Sequence, residues 1–136
     1  KFHGHVGPWL IVGLRMGEAA MDALGARRAF GVRVDAWCPL HPPQSCMLDG
    51  LQWATGATYG KQNLLASESD EISVTVRNTD NGGALVYRLA PGAAERFGRW
   101  LAEVGDEEAS RRALDADLES LVLADVAAGE ACDGAH

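Results

Sequence analysis

The stretch CPLHPPQSCMLDGLQWATGATYGK, residues 38–61, decides how this chain is read. Pro42 and Pro43 forbid an early helix start, and an apolar run follows, so Ser45 is expected to cap a helix that carries Cys46 to about Thr55. Cys46 then falls in the first turn, where unpaired backbone N–H groups and the helix dipole favour a thiolate. Asp49 and Trp53 follow at helical spacing, so Cys46, Asp49 and Trp53 share one helix face. A sulfur, a carboxylate and an aromatic wall are therefore expected to look into one space. The Gly-Thr-Lys loop Gly56–Lys61 closes the stretch.

Before it, Val32, Val34 and Ala36 alternate with Arg33, Asp35 and Trp37, the period of a half-buried strand that delivers the chain to Cys38. Further upstream, Pro8 suits a first helical turn and Leu10–Leu24 reads as a helix closed by Gly25. Leu10, Leu14, Met21 and Leu24 are expected to line one side, with Arg15, Glu18 and Asp22 as a narrow polar stripe. Gly13 and Gly17 lower helix propensity, which implies that another element packs closely there.

Downstream, Ile72, Val74 and Val76 alternate with Ser73, Thr75 and Arg77. Thr79–Gly83 then turns the chain, and Leu85, Tyr87 and Leu89 return it as an antiparallel hairpin. Pro91 starts a helix with Phe97, Trp100, Leu101 and Val104 as its apolar stripe, and Gly105 ends it. Asp106 caps a further helix, in which Leu114, Leu118, Leu121, Val122 and Val126 repeat at helical spacing. The fold class expected is α+β, an antiparallel sheet packed with helices. One domain spans residues 1–128, with 129–136 as a flexible tail.

The chain has 136 residues, 47% hydrophobic and 23% charged, enough for a sizeable core. Its net charge of −7 argues against a nucleic-acid partner and against an anionic membrane surface. The most apolar stretch, Val6–Leu24, is interrupted by Arg15, Glu18 and Asp22 and reads as no membrane span. Three cysteines, an odd number, fit a reducing, cytoplasmic setting better than a disulfide framework. The sequence begins at Lys1 without a methionine, which leaves a removed secretory leader open.

Several groups have metal-ligand chemistry. His3 and His5, two residues apart on a Gly-rich segment, can reach one ion. Cys38, His41 and Cys46 form a Cys-x2-His-x4-Cys cluster of the soft and borderline ligands that zinc prefers, though the second half of a zinc-finger spacing is missing. Cys132 and His136 offer a further pair in the tail. The most economical set is Cys46 with His3 and His5, three ligands and an open fourth position; Cys38 reads better as a small buried hydrophobe at a strand end. Gly56–Lys61 is no phosphate loop, because its glycine spacing is one short and it follows a helix. It can still present Thr55, Thr58 and Lys61 to an anionic group. No G-x-S-x-G element appears, so serine acyl transfer has no support.

Taken together, His3-Gly4-His5-Val6-Gly7-Pro8, Cys46-Met47-Leu48-Asp49-Gly50-Leu51-Gln52 and Thr55-Gly56-Ala57-Thr58-Tyr59-Gly60-Lys61-Gln62-Asn63-Leu64 resemble the FmdE family, which takes its name from a component of formylmethanofuran dehydrogenase. The family pattern runs HGH-x-C-P, a cysteine followed by x-x-D-x-x-Q, then TGCT-x-GK-x-N-L. The resemblance implies an α+β core, a homodimer, and a metal, commonly zinc, near a cavity. It makes His3, His5 and Cys46 the metal ligands and Asp49, Thr55, Thr58 and Lys61 cavity-lining residues. Two positions depart from the pattern: Gly7 and Ala57 stand where it has cysteines.

The reading is a metal-binding domain with a small-molecule cavity. Cys46, Asp49 and Lys61 are its catalytic candidates; Trp9, Trp53, Thr55, Thr58 and Tyr59 line the ligand space. Trp37 also falls beside the motif residues. A metal-dependent enzyme, an accessory component of a larger redox complex, and a dimerisation module with a degenerate site all remain compatible with these residues.

Overall fold

The computed structural model of the chain describes residues 7–126. Its first element, α1, spans Pro8–Leu24, with the proline in its first turn. Gly25 ends it at φ 61°, its N–H donating to Met21 O at 2.9 Å. That left-handed conformation is one glycine adopts without a Cβ penalty. The face of α1 that sits deepest carries Val12, Met16 and Ala20 with Gly13 and Gly17, whereas Leu10, Leu14, Met21 and Leu24 are only half-buried. The stripe expected from leucine spacing is thus the flank, and the small residues mark the centre.

The reason is α2, Cys46–Thr55. A Cβ on Gly13 would overlap the backbone carbonyl of Met47, and one on Gly50 would overlap Leu10 O. A Cβ on Gly17 would stand 2.6 Å from Ala54 Cβ. The two helices touch backbone to backbone, as the glycine pair on α1 predicts.

Strand β1, Val32–Cys38, enters the middle of a five-stranded sheet ordered β2-β1-β3-β4-β5. Its inward residues Val32, Val34, Ala36 and Cys38 are buried, and Arg33, Asp35 and Trp37 face outward. The hairpin of β3, Ser73–Asn78, and β4, Ala84–Leu89, forms where alternation places it, with Val74 opposite Tyr87 and Val76 opposite Leu85. The sheet is mostly antiparallel, but β2, Leu64–Glu68, lies parallel to β1 and makes β1–α2–β2 a crossover unit.

α3 spans Ala93–Asp115 and packs on α1. Gly105 interrupts it at φ 84°, ψ 178°, so a second segment starts at Asp106, as the Gly-Asp pair implies. Arg15, from the polar stripe of α1, donates to Ala113 O at 2.8 Å and Ala116 O at 2.6 Å, satisfying carbonyls at the end of α3. The helix stops there. The apolar residues expected to prolong it form instead a 3₁₀ turn, Leu118–Ser120, and β5, Val122–Val126, antiparallel to β4. Leu121 and Val122 fit the buried side of a helix or of a strand, but Ala116 adopts an extended φ/ψ and strand pairing wins. Among the described residues no helix is long and apolar enough to cross a membrane.

Candidate functional site

Cys46 stands where α2 begins, but its entry is not a conventional cap. Ser45 has helical φ/ψ and makes no side-chain cap hydrogen bond. The chain winds into turns from His41 onward: Ser45 N donates to His41 O at 3.1 Å, Cys46 N to Pro43 O at 3.1 Å, Met47 N to Gln44 O at 3.2 Å and Leu48 N to Ser45 O at 3.0 Å. The amides expected to be available to a thiolate are therefore already bonded within the turn. The expectation of a depressed thiol pKa is corrected accordingly: burial first, then the Asp49 carboxylate, hold the Cys46 thiol above its usual value.

Cys46 lines a cleft of about 40 Å³ together with Gly7, Pro8, Trp9, Leu10, Pro43, Leu101 and Asp106. Three helix starts meet there: the first turn of α1, the first residue of α2, and the residue that follows the break in α3. The volume suits one ion or one or two small atoms rather than a flat organic molecule. Trp9 packs edge-on against Phe97, ring centroids 5.0 Å apart, and forms the aromatic wall. Gln44, in the turn leading to Cys46, keeps a buried Oε1 without a hydrogen-bond partner among the described residues.

Trp53 and Trp37 do not join this wall. Trp53 is 64% exposed and Trp37 41% exposed on the outward side of β1. The tryptophan-walled cavity expected from motif proximity is thus reduced to Trp9. Asp49 is half-buried and Trp53 exposed, so the helix face shared by Cys46, Asp49 and Trp53 opens to solvent at its C-terminal end instead of to the cleft. Cys38 lies wholly inside the core, its thiol pushed up to about 11 by burial and by Glu68, while His41 is exposed. Among the described residues no three His, Cys, Asp or Glu side chains gather as a metal set. His3, His5, Cys132 and His136 lie outside the described residues.

The remaining candidates sit at the other end of α2, about 15 Å along its axis for a ten-residue helix. Here the Thr-Gly-Ala-Thr-Tyr-Gly-Lys loop turns inward on itself. Thr55 is buried; its Oγ1 donates to Leu51 O at 2.7 Å and accepts Ala57 N–H at 3.1 Å. Lys61 Nζ donates to Gly56 O at 2.6 Å and to Thr58 Oγ1 at 3.2 Å. Arg28 donates to Trp53 O at 2.6 Å and Ala54 O at 2.8 Å, a second cation on the helix's last carbonyls. Asn63 ties the loop down by accepting Thr58 N–H at 2.9 Å and donating to Val32 O at 3.2 Å. Tyr59 points outward, 67% exposed. Geometry thus separates Cys46 and Trp9 from Thr55, Thr58, Tyr59, Lys61 and Trp53.

The two positions that depart from the motif fall in the two regions as well. Gly7 borders the Cys46 cleft, and a Cβ there would meet nothing within 4 Å. Ala57 is fully buried behind the loop. Asp106 and Leu101 complete the cleft and escape the sequence reading, because nothing in the sequence tells that the cap after Gly105 lies beside a cysteine some sixty positions earlier. Only the packing of α3 on α1 does.

Comparison with known proteins agrees with this architecture. A crystal structure of a tungsten formylmethanofuran dehydrogenase FmdE-like protein from Syntrophus aciditrophicus superimposes with a TM-score of 0.61 at 21% identity, over 92% of this chain and 65% of that one. A probable S-adenosyl-L-methionine-binding protein of Archaeoglobus fulgidus is 31% identical over 114 residues, 82% of this chain. The chain spans only 31% of that relative's length. The sequence profile described as FmdE, molybdenum formylmethanofuran dehydrogenase operon, matches residues 2–127. The chain belongs to the FmdE family.

Proposed function

We propose that this chain is a metal-binding FmdE domain whose ion is held by Cys46 with His3 and His5. The observation that carries the reading is the cleft: Cys46 lines it, and so does Gly7, two residues after His5. The reading takes His5 to reach the cleft across those two residues, a span of at most about 7 Å. Thiolate and imidazole are the donor set of zinc and related divalent ions.

The chemistry supplied by such an ion is polarisation of a carbonyl or activation of water. The chain's own residues would exclude bulk solvent through Trp9, Pro43 and Leu101, and Asp49, whose charge is felt at Cys46, would hold or pass a proton. A homodimer, or service as an accessory component of a larger redox complex, belongs to the same proposal. Elemental analysis of protein purified without chelator tests it: about one zinc or other divalent transition metal per chain, lost in Cys46→Ala and His5→Ala, supports the reading. Absence of metal from the unsubstituted chain overturns it.

A second reading, a non-catalytic cofactor-binding module, draws on a separate groove of about 530 Å³ beside β5, lined by Tyr87, Leu118, Glu119, Val122, Leu123, Ala124 and Asp125. Two carboxylates and an aromatic residue suit a sulfonium or ammonium group, and one relative is described as a probable S-adenosyl-L-methionine binder. Calorimetric titration with S-adenosylmethionine, repeated on Glu119→Gln, distinguishes this reading: saturable heat weakened by the substitution supports it, and no heat rejects it.

A further inference from the structure

We propose that the surface at the C-terminal end of α2 docks an acidic protein segment. Phe30, Trp53 and Tyr59 seat the apolar side chains of that segment, and Arg28 and Lys61 meet its carboxylates. The surface lies a helix length from Cys46, so the proposal stands apart from the metal reading.

Three aromatic rings are left in water there: Phe30 is 72% exposed, Tyr59 67% and Trp53 64%. One such residue is ordinary on a protein surface, but several together mark an interaction site. They come from three segments, the loop after α1, the last turns of α2 and the loop that follows it. The two loops are tied to the helix end and to each other. Ala29 N–H donates to Thr55 O at 2.9 Å, and Tyr59 N–H donates to Gln52 Oε1 at 3.1 Å. Lys61 Nζ stands 5.4 Å from the centroid of the Phe30 ring.

Arg28 and Lys61 stand among these rings with donors to spare. Arg28 places one donor on Trp53 O and one on Ala54 O, out of five, and Lys61 uses two of its three on Gly56 O and Thr58 Oγ1. Both are exposed. Neither pairs with a carboxylate among the described residues, although the chain has 19 acidic residues against 12 basic ones. Arg27, the preceding residue, is by contrast held by Asp80 at 2.7 Å.

The backbone beneath the surface is held in a costly shape. Among the described residues two that are not glycine have positive φ, Ala29 at 74° and Gln62 at 61°. The first precedes Phe30 and the second follows Lys61. A Cβ disfavours that conformation. Hydrogen bonds maintain it, Ala29 N–H to Thr55 O and Gln62 N–H to Tyr59 O at 3.0 Å. Strain kept at the two residues that aim a ring and a cation gives a fixed display, which a partner meets at little cost in ordering.

The chemistry of the occupant follows from these groups. Trp, Tyr and Arg are the side chains that anchor protein interfaces. The rings stand on separate segments, unlike the single apolar face of a helix that lies in a membrane surface. An extended polyanion, lipid or nucleic acid, would meet the net charge of −7, whereas a short segment feels only charges within about 8 Å of its own. Local cations in an acidic chain therefore favour a peptide carrying a few carboxylates.

A random-peptide display library panned on the full chain, with Trp53→Ser for counter-selection, tests the proposal. We expect the enriched peptides to combine Asp or Glu with Leu, Phe or Trp. With the leading peptide synthesised and fluorescently labelled, Phe30→Ser and Trp53→Ser should each weaken binding at least about tenfold in polarisation titrations. Lys61→Gln and raised salt should weaken it less. Phe30 and Trp53 are exposed, so their variants should melt within a few degrees of the wild type. No enrichment, enriched peptides without acids, or unchanged affinity in both aromatic variants overturns the proposal. Co-sedimentation with phosphatidylglycerol vesicles and light scattering over a concentration series complete the test. Vesicle binding or self-association that needs Trp53, without peptide enrichment, assigns the surface to a membrane or to a second copy and overturns it too.

Discussion

Gly13 of α1 faces the backbone carbonyl of Met47 in α2 so closely that a methyl group at Gly13 would occupy the oxygen's place. Because the obstacle is backbone, no rotamer change relieves it. Alanine ordinarily gains up to about 1 kcal/mol over glycine inside a helix, but here overpacking should outweigh the gain. We expect Gly13→Ala to destabilise by about 1–3 kcal/mol in urea unfolding. Gly98, exposed on α3 with nothing within 4 Å of its would-be Cβ, is the matched control. Gly98→Ala should stabilise by about 0.5–1 kcal/mol. Equal effects at the two sites would contradict the close α1–α2 packing.

The two departures from the family motif should behave differently when reversed. Gly7 has an extended φ of −132°, open to any residue, and free space at the cleft, so Gly7→Cys should leave the melting temperature unchanged. On the metal reading it should also tighten zinc binding by adding a second sulfur. Ala57→Cys enlarges a fully buried site and should cost about 1 kcal/mol or more. It should leave zinc affinity as it was, because the position is at the far end of α2. Zinc competition titrations on both variants decide the matter, and a larger effect from Ala57→Cys would refute the separation of the two regions.

Thiol chemistry should follow burial. Cys38 keeps its proton up to about 11 in the folded chain against 9.0 when unfolded. The folded state therefore binds the more protons between those values, and stability, intact below pH 9, falls as pH rises toward 11. Tyr87, raised from 10.0 by burial, adds to the same alkaline loss. Urea midpoints measured from pH 8 upward should show a shallower decline in Cys38→Ala. In metal-free protein, alkylation followed by peptide mapping should label Cys46 slowly at neutral pH and faster as pH rises, with Cys38 protected until unfolding. Rapid labelling of Cys46 at neutral pH would restore the helix-dipole thiolate that the structure argues against.

Lys61 should act on stability. Its Nζ sits on Gly56 O and Thr58 Oγ1, at the negative end of α2. Lys61→Met should cost about 0.5–1 kcal/mol and leave metal content untouched. Asn63 holds three backbone segments at once, accepting from Thr58 and donating to Ala29 O and Val32 O. Asn63→Ala leaves those groups with fewer partners and should cost about 1–3 kcal/mol in thermal or urea unfolding. A loss of bound metal in Lys61→Met with no loss of stability would return the lysine to the site.

Much of the architecture is written locally. Alternation of Val32, Val34 and Ala36, and of Val74 and Val76 with their return strand, is a period-two signal that fits only a half-covered sheet. Pro8, Gly25 and Gly105 are backbone instructions that hold whatever surrounds them. Two strands were not legible for the same kind of reason. Leu64–Glu68 lacks alternation and β-branched residues, and becomes β2 because β1 offers it an edge. Leu118, Leu121, Val122 and Val126 satisfy a helical period as well as they fill β5, and short apolar runs do not distinguish the two until a neighbouring strand is available.

By itself the sequence determined the family, the order of most elements, the close approach of some element to the glycines of α1, and the place of Cys46 at a helix start. Only the tertiary structure decided who shares its space. The motif residues from Thr55 to Lys61 follow Cys46 closely in the chain yet lie a helix length away, because a helix separates its ends by about 1.5 Å per residue. Asp106, some sixty positions distant, comes to the cleft because α3 packs on α1 and breaks at Gly105. Sequence spacing governs contacts within one helix or strand, whereas contacts between elements are set by which faces are buried together, and the site belongs to the second kind.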